Sequence, residues 1–456
     1  MAKFKALLQP SLLEAGLVSV TTIASLSFLI IGTGWVPHIG IVFVMLCLLI
    51  YGRLRGIQYS QMQHAMADSL MSSVGALYLF FFIGLLVTAL LMSGSIPSLI
   101  YYGTAMMSAD YFYVSVFLIT GVIGIALGSS LTTVATLGVA FMGIGEAFDA
   151  SAMITAGAVV SGAFLGDKMS PLSDTTTIAA ATVDVDLFEH IKNMMRTTLP
   201  ALVICCGLYV YLSVTGQNTI GNVERINTFR LALEQTGLIH LAALLPFILL
   251  VVLAVFRIPA VMAMIYTSLL AVIIAQFTGY NEFSRYGSFF FSGFVPDPQW
   301  APDLVRMFSR GGLQNMFFTL TIVLLAVSMG GLLFALGVIP RLLNSIAAWL
   351  TSRIRATGAV ATTSVGVNVL IGEQYLSILL SGETFKPVYD RLGLERKHLS
   401  RTLEDAGTVV NPLVPWSVCG VFIAGQLGVS VIDYLPYAFF CYFSVIITLI
   451  IPSKMR

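Results

Sequence analysis

Residues 166–177 read Gly166-Asp167-Lys168-Met169-Ser170-Pro171-Leu172-Ser173-Asp174-Thr175-Thr176-Thr177, and this run decides how the rest of the chain is read. It places three charges, five hydroxyls and a proline between segments apolar enough to lie in a bilayer. An ionised side chain at bilayer depth costs at least about 2.5 kcal/mol, so such groups line a pathway or a site rather than face lipid. The proline cannot complete the helical ladder, and it leaves backbone carbonyls without partners, available to a cation. The run therefore predicts a membrane helix interrupted around an ion.

The composition agrees. Of 456 residues, 57% are hydrophobic and 10% charged, with a mean hydropathy of +0.93. Soluble proteins carry about 25% charged residues, so the chain reads as a polytopic membrane protein of roughly ten spans. A net charge of +1 argues against nucleic acid as a partner. Cys47, Cys205, Cys206, Cys419 and Cys441 sit in apolar runs without Cys-x-x-Cys spacing and read as packed thiols, not disulfides or metal ligands. Lys3 and Lys5 precede an apolar run that leads into further spans, which predicts a retained first helix rather than a cleaved leader. No phosphate-binding Gly-x-x-x-x-Gly-Lys-Ser/Thr loop and no nucleotide-binding Gly-x-Gly-x-x-Gly unit occurs, so ATP is not the expected energy source. Ser170 and Ser173 have no histidine nearby in sequence, so neither an enzyme nor a cofactor is expected; sodium is expected only as cargo.

Working outward, apolar segments lie at roughly 14–33, 36–52, 74–93, 151–166 and 197–216. Residues 57–73 and the shorter piece 95–108 read as amphipathic helices at the membrane surface. Between Asp110 and Glu146 no residue is charged, yet Gly128-Ser129-Ser130-Leu131-Thr132-Thr133 breaks the middle. This predicts a re-entrant hairpin over about 110–145, followed by a broken helix over about 151–182. The second half repeats the order. Spans at about 236–256, 258–277 and 313–337 precede an amphipathic piece at 340–352, a hairpin over about 356–385, a broken helix over about 402–428 and a last span at 434–451. Gly145-Glu146-Ala147-Phe148 matches Gly382-Glu383-Thr384-Phe385, and Ser170-Pro171-Leu172 matches Asn411-Pro412-Leu413. The predicted fold is all-α and polytopic, with two inverted repeats, 1–216 and 236–456. Each repeat has about five crossings, a re-entrant hairpin and a discontinuous helix.

Basic residues test the orientation. Lys3, Lys5, Arg53, Arg55, Lys192, Arg196, Arg257, Arg353, Arg355, the cluster from Lys386 to Arg401, Lys454 and Arg456 all fall on the cytoplasmic side of this scheme. Both termini are then cytoplasmic and the membrane is the inner, cytoplasmic one. Arg225, Arg230, Arg285, Arg306 and Arg310 fall outside, in mixed-charge connections. Broad apolar scaffold surfaces suit lipid and, as a further expectation, a homodimer.

The hairpin tips and helix breaks should meet near the midplane, where their carboxylates, amides and hydroxyls suit a hard cation. Asp174, within the hydroxyl cluster, is the leading sodium ligand; its plainer role is to cap the following half-helix. Asp167 either enters the site or pairs with Lys168. Glu373, in the middle of a long apolar stretch, reads as a proton carrier or as a protonated acid bonded to backbone. Of Glu404 and Asp405, one should face the cavity and one pair with Arg401, with Asp405 favoured for the cavity. Ser130, Thr132, Thr133, Ser170, Ser173 and Thr175 are hydroxyl candidates, though helices often satisfy such groups internally, and Asn368 and Asn411 sit at matched breaks. Sodium is assigned to Asp174, Ser173, Glu373 and Asn411. Asp184, Asp186 and Glu189 read as a solvated face, and the five histidines as loop or interfacial residues.

The run 166–176, the stretch Leu403-Glu404-Asp405-Ala406-Gly407-Thr408-Val409-Val410-Asn411-Pro412-Leu413-Val414-Pro415-Trp416 and Leu370-Ile371-Gly372-Glu373-Gln374-Tyr375 together resemble the NhaC family of sodium/proton antiporters. The resemblance implies paired re-entrant hairpins and sodium export coupled to proton entry. Some similar proteins exchange malate and protons for lactate and sodium, so a small organic anion such as malate, lactate or an amino acid is the alternative cargo.

Overall fold

The structure, a computed structural model, describes residues 6–71, 74–215, 223–278, 283–350 and 352–451. Lys3, Lys5, Lys454, Arg456 and the side chain of Arg353, used above for orientation, lie outside what is described. The described residues form helices joined by short connections, without strands. Among the described residues, seven helices are long and apolar enough to cross a membrane, or up to ten if each sharply bent pair is counted as one span.

The first half runs α1 (Leu12–Gly32), α2 (Pro37–Leu54), α3 (Tyr59–Leu70), α4 (Val74–Met92) and α5 (Ser95–Met106). It continues through α6 (Phe112–Leu127), α7 (Ser130–Ala147), α8 (Ala152–Met169), α9 (Asp174–Thr182) and α10 (Leu187–Thr215). A connecting helix, α11 (Val223–Gln235), leads to the second half. There α12 (Leu245–Val255), α13 (Ala260–Phe277), α14 (Phe283–Ser292) and α15 (Pro302–Phe308) precede α16 (Leu313–Ala335) and α17 (Val338–Trp349). Then follow α18 (Arg353–Ile371), α19 (Gln374–Leu392), α20 (Arg396–Leu403), α21 (Val418–Leu427), α22 (Val431–Tyr434) and α23 (Phe439–Ile450).

Local chemistry places corresponding breaks in both halves. The α6–α7 turn is Gly128 at φ 65° followed by Ser129, whose side chain accepts from the N–H of Thr132. The α18–α19 turn is Gly372 at φ 78° followed by Glu373, which accepts from the N–H of Leu376. A glycine reverses the chain without a Cβ penalty, and the next side chain caps the returning helix. The helix restarts follow the same logic: Ser173 caps α9 and Ser417 caps α21. The two halves also exchange contacts reciprocally, α9 packing on α19 and α21 on α7.

Four expectations change. α3 is not a free interfacial helix, because Met62 and Ser69 are buried and Ser69 donates to the carbonyl of Val327 at 3.0 Å. The first turn of α5 is buried as well, and Ser95 donates to the carbonyl of Ala243 at 2.5 Å. Its small hydroxyl-bearing residues let neighbouring backbone approach closely. The second hairpin extends to Leu392, seven residues past the expected end, and stops at Gly393 with φ 66°. His190 and His398 are buried rather than interfacial, with His190 bonded to Ser400 at 2.8 Å.

Charges sort to two faces. Arg225 pairs with Asp149 and Arg306 with Glu146 at one end of the hairpin α6–α7. At the opposite end, Asp184 pairs with Lys386 and Arg396, and Arg391 donates to the carbonyls of Ala347 and Leu350. Near the two ends of the described chain, Leu7 bonds the carbonyl of Ala335 and Arg401 that of Ile451.

Candidate functional site

The break after α8 closes on itself. Ser170 is extended, its hydroxyl accepts from the N–H of Leu172 at 3.2 Å, and Ser173 accepts from the N–H of Thr176 at 3.3 Å. The Thr176 hydroxyl donates to the carbonyls of Asp167 (3.3 Å) and Lys168 (3.2 Å). The carbonyls expected to be free for a cation are therefore satisfied within the break. α20 ends differently: Glu404–Thr408 is a π turn and Asn411–Leu413 a 3-10 turn before Ser417 restarts the helix. Such π turns recur at functional sites because they aim side chains away from the ordinary helical face.

Four carboxylates line the junction. Asp167 is buried; Ser130 donates to its Oδ2 at 2.7 Å, and its Oδ1 has no hydrogen-bond partner. Glu404 is fully buried, accepts from Thr175 at 3.1 Å through Oε1, and has Oε2 unpartnered. Glu373, also buried, accepts from the N–H of Leu376 at 2.7 Å. Asp174 alone of the four is exposed, accepting from the N–H of Thr175 at 3.0 Å and from the Tyr375 hydroxyl at 2.5 Å. Thr175, the residue after Asp174, links the exposed acid to buried Glu404, and Ser173 lies 2.9 Å from the Thr175 hydroxyl. The arrangement is a file of acids leading inward from an open mouth. Among the described residues no three acids, histidines or cysteines converge as ligands of one bound metal would.

The mouth continues along α9 through exposed Thr177 and Ala181, one turn apart each, and along α19 to exposed Glu383. It ends at the rim where Lys386 meets Asp184 at 2.5 Å and holds that carboxyl below its usual range.

Several expected ligands take other roles. Asp405 does not face this junction and Glu404 does, the reverse of the expectation, because the π turn turns Asp405 toward Lys168. Arg401 bonds the carbonyl of Ile451 and neither acid. Asp167 and Lys168 do not pair; consecutive residues on a helix diverge, sending one to Ser130 and the other to Asp405. Thr133 donates to the carbonyl of Ser129 at 2.8 Å, and Thr132 donates to the Ser129 hydroxyl at 3.0 Å, so both are satisfied within their own turn. Asn411 donates to Asn368 at 2.7 Å and accepts from the N–H of Cys419 at 3.0 Å, while Asn368 donates to the carbonyl of Gly407. These two amides clasp hairpin to break and are placed to hold backbone rather than sodium. Asp184 is bridged rather than merely solvated. Tyr375, two residues after Glu373, has a part the sequence pattern did not point to, its hydroxyl donating to Asp174.

The clasp makes a prediction. Asn411→Ala leaves the Asn368 side-chain oxygen and the Cys419 N–H unpaired and should lower stability by about 2 kcal/mol or more. Thermal unfolding reads that loss, and the sodium concentration giving half-maximal activity should stay at the wild-type value.

The sequence model of the Na+/H+ antiporter family matches residues 162–452, which include both breaks and the second hairpin. The Na+/H+ antiporter NhaC of Alkalihalophilus pseudofirmus is 40% identical over 91% of this chain and 89% of its own length. The chain belongs to the Na+/H+ antiporter family. Another relative, Na+/H+ antiporter NhaC of Bacillus subtilis, is 36% identical over 91% of this chain and 92% of its own. The malate-2H+/Na+-lactate antiporter of Bacillus subtilis is 30% identical over 84% of this chain and 81% of its own. As a family member the chain is a polytopic membrane transporter, and the four carboxylates lie at the junction of its interrupted elements.

Proposed function

We propose that this protein exchanges sodium for protons across the cytoplasmic membrane by alternating access. The observation that carries the proposal is the inward file of carboxylates, open at Asp174 and closed at Glu404. A carboxylate withdrawn from water is costly as a bare charge and needs either a proton or a cation. Either occupant meets that need, so binding one displaces the other, and coupling follows without both being aboard. Sodium would sit between Asp174 and Asp167 with Ser130, Ser173 and Thr175; Glu373 and Glu404 flank it and carry protons.

The same reading divides the chain into two inverted repeats, 1–216 and 236–456, with re-entrant hairpins. The matched caps, the reciprocal α9–α19 and α21–α7 packing, and tips that end against the breaks support it. The basic face, with Lys386, Arg391 and Arg396, is cytoplasmic under the positive-inside rule, and both termini lie there. Mostly exposed α1 and α2 would face lipid or, in a homodimer, a second copy.

Purified protein in liposomes carrying a pH dye should move protons when sodium is added on the opposite side, with radioactive sodium counterflow. Saturable coupling excludes a channel. Sodium movement that requires labelled malate, lactate or an amino acid would replace this reading with organic-anion exchange.

A further inference from the structure

We propose that the Lys168 ammonium fills a second monovalent-cation site, built around Asp405, and thereby keeps that carboxylate out of the exchange cycle. Oxygen surrounds Nζ: Asp405 Oδ1, Ser444 Oγ at 3.0 Å and Thr197 Oγ1 at 3.3 Å. The Phe440 ring adds a cation–π contact at 5.5 Å. The Ser444 hydroxyl donates to the same Asp405 oxygen at 3.0 Å, and Thr197 Oγ1 lies 3.3 Å from that oxygen while also 3.0 Å from the Met194 carbonyl. Both charged side chains are 0% exposed, and Asp405 Oδ2 has no hydrogen-bond partner. A carboxylate and two hydroxyls are ligands for a hard cation, and nothing in that set requires nitrogen in particular.

The placement gives the pair a consequence. On each broken helix, two consecutive residues point to opposite sides: Asp167 and Glu404 enter the file of acids, whereas Lys168 and Asp405 face each other. The pair lies where α8 and α10 of the first half meet α20 and α23 of the second. A tethered ammonium cannot leave, so Asp405 stays neutralised whichever ion occupies the neighbouring file. Without it, a buried unpaired carboxylate would recruit a free cation, at the cost otherwise incurred by leaving it bare. Lys168 thus fixes how many cations one chain binds.

The inference rests on sodium being the cargo, and its test separates the two. Equilibrium binding of radioactive sodium to the purified full-length chain should give Lys168→Ala one more ion per chain than wild type. Lys168→Ala/Asp405→Asn, lacking both charges, should return to the wild-type count. Sodium, compared with choline, should also raise the unfolding temperature of Lys168→Ala more than that of wild type. A Lys168→Ala chain with no added site overturns the inference, as does a double variant that keeps the extra ion. A Lys168→Ala chain that cannot be recovered folded even in high sodium overturns it too, because a free cation then fails to replace the ammonium. If the wild type binds no sodium the exchange reading falls, and the present inference still stands or falls on the gain in Lys168→Ala.

Discussion

Asp167→Asn is expected to reduce sodium-dependent proton movement in liposomes on the order of 100-fold, with the protein still folded. The substitution keeps the shape of the side chain and its bond from Ser130, so packing around the α8 break should survive. What disappears is a buried carboxylate oxygen pair, held at Oδ2 by Ser130 and unpartnered at Oδ1. Removing one partner of a buried ionic contact costs at least about 3 kcal/mol, and each 1.4 kcal/mol is about tenfold in affinity. Asp174→Asn should fall between Asp167→Asn and wild type, because its carboxylate is exposed and water can replace part of the lost contact. Asp184→Asn, at the rim, should leave exchange within about twofold, as expected for a surface ion pair. The order of the three is the discriminating result. Full exchange by Asp167→Asn would remove the file of acids from the mechanism.

The parts legible in the sequence are those set by local chemistry. A proline between serines must end a helix, so the α8–α9 break was legible, although the cap expected at Asp174 falls one residue earlier, on Ser173. Gly128-Ser129 and Gly372-Glu373 announce the hairpin turns for the same reason. The assignment of acids to partners was not legible. Each residue advances a helix by about 100°, so the extra residue of a π turn is enough to turn a side chain from one face to the next. Glu404 thus takes the place expected of Asp405, and Asp405 pairs with Lys168 instead of either acid pairing with Arg401. The Asn368–Asn411 clasp was hidden for a different reason. An amide at a break looks the same in sequence whether it holds an ion or the backbone, and only the partner 43 residues away decides. Tyr375 likewise gains its role from Asp174, which belongs to the other half of the chain.

Gly166→Val is expected to abolish accumulation of folded protein, and the reason lies in how α6 and α8 meet. A Cβ on Gly166 would lie 2.6 Å from the Cα and carbonyl carbon of Gly124 and 2.8 Å from the carbonyl oxygen of Gly121. One turn earlier, a Cβ on Gly162 would lie 2.5 Å from the carbonyl oxygen of Phe117. These neighbours are backbone, so no rotamer change relieves the clash; the helices must separate. Close backbone approach through small residues is a main source of helix association in membranes, where lipid is as apolar as the packed interface. Ordinary overpacking costs about 1–3 kcal/mol when side chains can adjust, and here the loss should exceed that range. Separation would also pull Asp167, the next residue along, from Ser130 at the start of α7, so stability and ion binding should fail together. Gly207→Ala in α10 and Gly425→Ala in α21 are the controls, since nothing lies within 4 Å of the added carbon at either place. Both should be neutral or stabilising by up to about 1 kcal/mol from helix propensity. Size-exclusion profiles and thermal unfolding in detergent read all three. A Gly166→Val chain with wild-type unfolding temperature would mean that α6 and α8 do not touch, and the pocket they frame would lose its shape.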